Sequence, residues 1–162
     1  MGEGVTVGLG VIVGVTLAVG VRVGLGTDGP ASNNDLDLWK EMRLAASLAR
    51  LRERDAGVVS AVAALDMATR AAGHALGRPD LGSLYNGAPA DFILVDLDDA
   101  VFSPMSEPTD VVGHLVWSAQ SRLVTDVWVG GRKVVAGGRC LTVDVDEART
   151  QVTRRAARLV AD

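Results

Sequence analysis

The sequence is poor in aromatic residues, cysteine and histidine, and each shortage excludes some kinds of core or binding site. Aromatic residues make up 4% of the 162 positions, so a core must rest on Val, Leu and Ala. The single cysteine, Cys140, excludes an internal disulfide framework and fits a reducing compartment, which predicts a cytoplasmic protein. One cysteine and two histidines also exclude a self-contained zinc site with the usual four side-chain ligands.

Basic charge is in short supply as well. The chain has 16 Lys and Arg residues against 20 Asp and Glu residues, and its formal net charge is −4 at pH 7. Nucleic-acid binding usually requires a basic face, so we expect no nucleic-acid partner.

The amino-terminal segment has no charged residue from Gly4 to Val21, a length sufficient to cross a membrane. It consists largely of Val and Gly, without an aromatic belt or a basic flank, and Glu3 stands where a signal peptide would carry positive charge. We therefore interpret residues 1–20 as a low-complexity segment of uncertain structure. Membrane attachment through this segment is the least favoured of three functional hypotheses.

Hydrophobic periodicity predicts a strand, two helices, a small β unit and a closing helix, in that order. The first helix carries an apolar stripe and has Asn34 or Asp35 as its predicted N-cap. The predicted elements are a strand at Val21–Leu25, helices at Asp35–Arg54 and Ser60–Leu76, a strand buried on both faces at Phe92–Val95, a helix at Thr109–Ser118, a hairpin of Val124–Val129 with Lys133–Ala136, and a helix at Asp146–Val160.

A glycine-rich turn follows the first predicted strand, and Gly24 to Gly29 literally matches the pattern G-x-G-x-x-G. A dinucleotide site is nevertheless not favoured, because Asp28 would oppose a pyrophosphate and Pro30 removes a backbone donor. A carboxylate at the carboxyl end of a strand can instead bind a divalent metal and accept a proton. The residues alone leave a second interpretation open, in which Asp28 only stabilises the turn.

Three spaced blocks carry a resemblance to a known family. The first is Gly26–Asn34 followed by Asp37–Ala46, the second runs from Leu65 to Asp96, and the third is Val127–Val135. In this order and spacing they resemble the carboxyl-terminal part of the amidohydrolase superfamily. The nearest branches are the methylthioadenosine/S-adenosylhomocysteine deaminases and the triazine hydrolases. Residues 1–20 do not match the family pattern.

The resemblance implies an α/β fold: the C-terminal fragment of a (β/α)8 metal-dependent hydrolase barrel plus part of its small β-sandwich. A complete barrel needs roughly 250 residues, more than this chain has. We expect the last barrel strand and its helices at residues 21–78, a partial β-sandwich unit at 79–145 and a C-terminal helix at 146–162.

The resemblance also implies a function and site residues. A complete family enzyme holds a divalent metal, zinc or iron, and displaces ammonia from a purine-like or triazine-like ring, so the implied partner is a small heterocyclic substrate. Asp28 corresponds to a metal ligand and proton shuttle, and Ser32 to a loop position that contacts substrate. The family's other metal ligands lie upstream of this segment, and His74 and His114 occupy positions that do not correspond to ligands.

We therefore expect this chain alone to lack a complete metal site and to be inactive as a deaminase. A homo-oligomer or a complementing chain could supply what it lacks. The main alternative is a non-catalytic remnant or interaction module that reuses the β unit and the helices.

Overall fold

The computed structural model describes residues 23–30, 32–108 and 110–160. The predicted low-complexity segment 1–20 lies outside these residues, as do the first two positions of the predicted first strand. The described elements are α1 (Leu38–Glu53), α2 (Ala61–Ala68), α3 (Arg70–Ala75), β1 (Phe92–Val95), α4 (Asp110–Trp117), β2 (Val124–Val129), β3 (Arg132–Ala136), β4 (Arg139–Cys140) and α5 (Val145–Val160), with 3-10 turns at Ala100–Phe102 and Ser121–Leu123.

Helix α1 begins later than its sequence predicted. Its N-cap is Asp37, whose side chain accepts a hydrogen bond from the backbone N–H of Trp39 at 2.9 Å, rather than Asn34 or Asp35. The helix ends at Glu53, and its C-cap, Arg54, adopts a left-handed conformation. Asp35 remains outside the helix, where its carboxylate accepts hydrogen bonds from the backbone N–H of Asp37 and from Lys40.

The predicted second helix is divided into α2 and α3 at Thr69, so the prediction of one continuous helix is wrong. Thr69 has φ −128° and ψ −96°, outside the helical region. Gly82 packs so closely here that an added Cβ would lie 2.6 Å from the backbone nitrogen of Arg70. The interruption therefore lies at a contact with a segment thirteen residues further along the chain.

The predicted first strand is not confirmed over its described part, Val23–Leu25. These residues form no ladder with any described strand. The backbone N–H of Leu25 instead donates to the carbonyl of Met67 at 2.9 Å, near the end of α2. A ladder requires a neighbouring strand. Each of the four described strands pairs only with another of the four, and none pairs with residues 23–25.

The four strands form one antiparallel sheet in the order β1-β2-β3-β4. The predicted hairpin is confirmed, and its turn residues Gly130 and Gly131 both have positive φ, as a tight two-residue turn requires. A second glycine pair leads into β4, a two-residue strand that the sequence did not predict. Cys140 lies in β4 and is exposed.

The hydrophobic core is built mainly from alanine and valine, with two methionines, where α1, α2 and α4 meet. Alanine has no side chain beyond Cβ, so helices that carry it can approach closely. A second, smaller cluster lies between the helices and the sheet, and Trp39 packs against both. The buried residues of the first cluster are Val23, Met42, Ala45, Ala46, Ala49, Val59, Ala64, Met67 and Val116; those of the second are Phe102, Ala119 and Leu123.

Helix α5 confirms the predicted closing helix and stands almost entirely exposed. Its arginines, Arg149, Arg154, Arg155 and Arg158, point outward as predicted. Val152 and Leu159, on its apolar stripe, are exposed too. None of the helices in the described ranges has the length and apolar character needed to cross a membrane.

Strand β1 is not buried on both faces, contrary to its sequence prediction. Ile93 is 43% exposed and Leu94 48% exposed, and since adjacent residues of a strand point to opposite faces, both faces of β1 are partly open. β1 is also an edge strand, with no other described strand paired to its outer side. Ile93 lines an open apolar groove of about 450 Å³ between the sheet and helices α1 and α2. An uncharged edge of this kind is a template for pairing with another chain.

The isolated chain is therefore expected to self-associate through β1. Substitution Leu94→Lys should reduce this association, because a lysine on an edge strand opposes pairing. Val143→Lys is the control, since Val143 is equally apolar and exposed but lies outside the sheet. Light scattering over a concentration series measures the mass. A constant mass of 16.8 kDa for the unsubstituted chain would contradict the prediction.

Candidate functional site

Asp28 lies in the loop that leads from Leu25 toward helix α1. Its side chain is exposed, and its backbone has φ 58°, in the left-handed region that residues other than glycine rarely adopt. The loop closes into a turn in which the backbone N–H groups of Ser32 and Asn33 both donate to the carbonyl of Gly29 at 3.0 Å. The structure thus places Asp28 on the loop just past Leu25, as the sequence predicted.

The carboxylate of Asp28 is held by two short hydrogen bonds. The hydroxyl of Ser32 donates to Oδ2 at 2.7 Å, and the backbone N–H of Gly29 donates to Oδ1 at 2.7 Å. The bond from Ser32, followed by that from Gly29, lowers the pKa of Asp28 below its ordinary value. At neutral pH the group is therefore ionised, the form that binds a cation or accepts a proton.

In this structure Ser32 forms a hydrogen bond with Asp28. Its hydroxyl lies between the Asp28 carboxylate and the Gly29 carbonyl, 3.1 Å from the latter. Ser32 is itself exposed. Its contact with substrate, which the resemblance implies, stays a prediction.

Two residues that the sequence did not single out support this loop. The side-chain amide of Asn33 donates both to the backbone carbonyl of Thr27 at 2.9 Å and to Oε1 of Glu41 at 2.7 Å. Glu41 lies on α1 and is 8% exposed. Its spacing was a usable signal: Glu41 precedes Ala45 by four positions, so it shares the inward face of the helix.

A shallow depression of about 610 Å³, lined largely by polar and charged residues, opens beside the loop, over the amino-terminal part of α1. Its two cationic side chains already have partners. Lys40 pairs with Asp35, and Arg43 donates to the backbone carbonyls of Trp39 and Ala119. Of the two, only Lys40 is paired with a carboxylate, whereas the partners of Arg43 are neutral carbonyl groups.

The two histidines lie elsewhere. His74 is exposed on α3, and His114 on α4 lies 2.9 Å from the carbonyl of Pro104 through Nε2 and packs edge-on against Phe102. Within the described ranges, no three His, Cys, Asp or Glu side chains converge in a group that could hold a metal ion. Asp28 can offer one carboxylate, so the described residues by themselves do not fit a complete metal site.

The order of the elements and the Asp28 loop agree with a match to a known family. Residues 12–134 match the model of the amidohydrolase family. The chain belongs to this family. It is 43% identical over 137 residues to a 5-methylthioadenosine/S-adenosylhomocysteine deaminase from Dictyoglomus thermophilum. It is 37% identical over 132 residues to the corresponding deaminase from Bacillus thuringiensis.

Solved structures of amidohydrolases share the fold of the chain. An adenosine deaminase from Xanthomonas campestris with bound zinc superposes with a TM-score of 0.86 at 32% identity, over 92% of this chain. Atrazine chlorohydrolase from Arthrobacter aurescens, complexed with zinc, superposes with a TM-score of 0.77 at 32% identity, over 88% of this chain. The α/β fold predicted from the sequence is thereby confirmed at the level of the family.

The chain spans about a third of the length of these relatives. The matches cover 85% and 81% of the chain but 32% and 30% of the two deaminases. They cover 34% and 31% of the two zinc-containing structures.

Proposed function

We propose that this chain is the carboxyl-terminal third of an aminohydrolase that removes an amino group from a purine-like or triazine-like ring. In such a reaction water adds to the ring carbon, the C–N bond breaks and ammonia leaves. The observation that carries the proposal is the ionised Asp28, held on an exposed loop in a chain that belongs to the amidohydrolase family. In this proposal the described elements are the end of a (β/α)8 barrel and part of a β-sandwich.

Asp28 is the one residue of this chain to which we assign chemistry. Its carboxylate would serve as one ligand to a divalent metal, zinc or iron, whose remaining ligands come from outside the described residues. The metal would supply a polarised water when bound. The part of this chain is to present an ionised carboxylate that can also accept a proton, with Ser32 and Gly29 fixing the direction of its two oxygens.

An unpaired strand edge, an open apolar groove and an unsatisfied buried donor support the proposal that the described elements are part of a larger fold. The outer edge of β1 has no described partner, and an apolar groove lies next to it. The indole N–H of Trp39, which lines that groove, is buried without a hydrogen-bond partner among the described residues. Buried donors are nearly always satisfied in native proteins, so further chain over this groove would remove the anomaly.

A chimaera tests the proposal directly. The matching 137-residue segment of the Dictyoglomus thermophilum deaminase is replaced by the corresponding segment of this chain. We expect the purified chimaera to bind zinc and to release ammonia from 5-methylthioadenosine. Asp28→Ala in the chimaera should lower kcat about 100- to 10,000-fold, the usual contribution of a positioned proton acceptor, and should lower the zinc content as well.

Asp98→Ala is the matched control, because Asp98 is also an exposed loop aspartate but lies after β1. It should leave both ammonia release and zinc content unchanged. A folded, zinc-containing chimaera whose turnover is the same with and without Asp28 would contradict the proposal.

A second candidate function is the interaction module, and the exposure of helix α5 favours it. Val152 is 66% exposed and Leu159 is 82% exposed, although both lie on one apolar stripe. If the chain acted only through this surface, α5 would be needed and Asp28 would not. A chimaera that folds but neither binds zinc nor turns over substrate would favour this alternative.

A further inference from the structure

A buried carboxylate close to the Asp28 loop has no role in the function proposed above. Glu41 is 8% exposed and is the one charged residue among the buried described residues. Removing a carboxylate from water is unfavourable unless hydrogen bonds replace its hydration. Its position on α1 therefore requires a reason beyond the packing of the helix.

The bond that Glu41 accepts leads to the backbone beside Asp28. Asn33 joins Oε1 of Glu41 to the carbonyl of Thr27, at 2.7 and 2.9 Å from the same amide nitrogen. An amide nitrogen has two protons, so it can serve both acceptors at once. Helix α1 is thereby connected to the residue that immediately precedes Asp28.

This connection lies where the backbone needs support. The left-handed conformation of Asp28 is disfavoured for a residue with a Cβ and persists only when surrounding contacts fix it. The bonds from Ser32 and Gly29 hold the carboxylate of Asp28. The bond from Asn33 to Thr27 holds the peptide on its amino-terminal side.

We propose that Glu41 and Asn33 are positioning residues that clamp the Thr27 carbonyl and so keep Asp28 in its left-handed conformation, with its carboxylate placed to accept the hydrogen bonds from Ser32 and Gly29. The role as a support for chemistry rests on the proposed function, whereas the clamp itself concerns only this chain. Glu41 acts through Asn33, because a carboxylate acceptor strengthens the hydrogen bond and fixes the orientation of the amide.

Nuclear magnetic resonance on the isolated chain tests the clamp without metal or substrate. In the unsubstituted chain we expect a through-hydrogen-bond coupling between the Asn33 side-chain nitrogen and the Thr27 carbonyl carbon. We also expect the strong intraresidue amide–Hα nuclear Overhauser effect at Asp28 that marks a positive φ. Absence of both signals in a folded chain would overturn the proposal.

Substitutions separate the clamp from a general effect on stability. Asn33→Ala and Glu41→Ala should both weaken the Asp28 Overhauser effect, and Glu41→Ala should speed exchange of the Asn33 amide protons about tenfold, the ratio for one hydrogen bond of typical net strength. Glu41→Gln keeps an acceptor oxygen and should restore most of both signals. Asn34→Ala, at the exposed neighbouring position, is the matched control and should change neither.

A merely structural role predicts a different pattern. If Glu41→Ala and Asn33→Ala lower the Tm but leave the Asp28 Overhauser effect intact, the clamp is overturned. If an alanine variant fails to fold, the clamp is still tested by the coupling in the unsubstituted chain and by the signals of Glu41→Gln. An inactive chimaera together with an intact clamp would contradict the proposed function and leave this inference standing.

Discussion

Substitution Gly82→Ala should destabilise the chain by roughly 2–5 kcal/mol, from a left-handed conformation and a steric overlap together. Gly82 has φ +78°, which a residue with a Cβ tolerates poorly. An added Cβ would also lie 2.6 Å from the backbone nitrogen of Arg70 and closer still to the carbonyl group of Thr69. The obstacle is backbone at the α2–α3 junction, which cannot move aside as a flexible side chain would.

Gly77→Ala separates these two contributions. Gly77 has φ +71°, nearly the same backbone conformation, but an added Cβ there would meet nothing within 4 Å. We expect Gly77→Ala to cost about 1–2 kcal/mol, from the conformation alone. Urea unfolding followed by circular dichroism measures both variants. Equal losses would show that the close approach of Gly82 to Thr69 makes no contribution.

Phe102→Ala should lower the free energy of unfolding by about 3–5 kcal/mol, the usual loss for a fully buried phenylalanine. Phe102 is 2% exposed and packs with Ala119 and Leu123 between the sheet and the helices. The other two buried side chains of the cluster, Ala119 and Leu123, are too small to fill the cavity that loss of the phenyl ring would leave. The β unit should lose protection first, and hydrogen exchange of β1 and β2 amides measures this.

Tyr85→Ala is the control for Phe102→Ala, because it also removes an aromatic ring from a position outside the α-helices and β-strands. Tyr85 is 56% exposed, and we expect a change within about 0.5 kcal/mol. If Phe102→Ala proved as mild as Tyr85→Ala, the small cluster would not be what joins the sheet to the helices.

Asp28 and the two residues that support its loop differ in how far the sequence reveals them. Asp28 stood out because it lies in a glycine-rich turn within a recognisable family block, both of which are local features. Asn33 and Glu41 belong to the same region but are eight residues apart, and their contact depends on how the loop folds back onto α1. Nothing in the spacing of an amide and a carboxylate fixes that geometry.

The break between α2 and α3 illustrates the same limit in the fold. Residues 60–76 are rich in alanine and contain no proline, so one helix was the natural prediction. The helix is interrupted where Gly82 packs against the Thr69 backbone. Conversely, β1 has the composition of a buried strand yet lies at an exposed edge, because burial depends on which elements cover a strand.

By itself the sequence determined the features that a few consecutive residues encode. These are the glycine-pair hairpin, the bounds of β1 and α5 to within one residue, and the loop that carries Asp28 beyond Leu25. Only the tertiary structure decided the interruption at Thr69, the exposure of β1 and the hydrogen bond between Asn33 and Glu41. The physical reason is that turn conformation and periodicity are local properties of the backbone, whereas burial and close approach arise from segments that are distant in the chain.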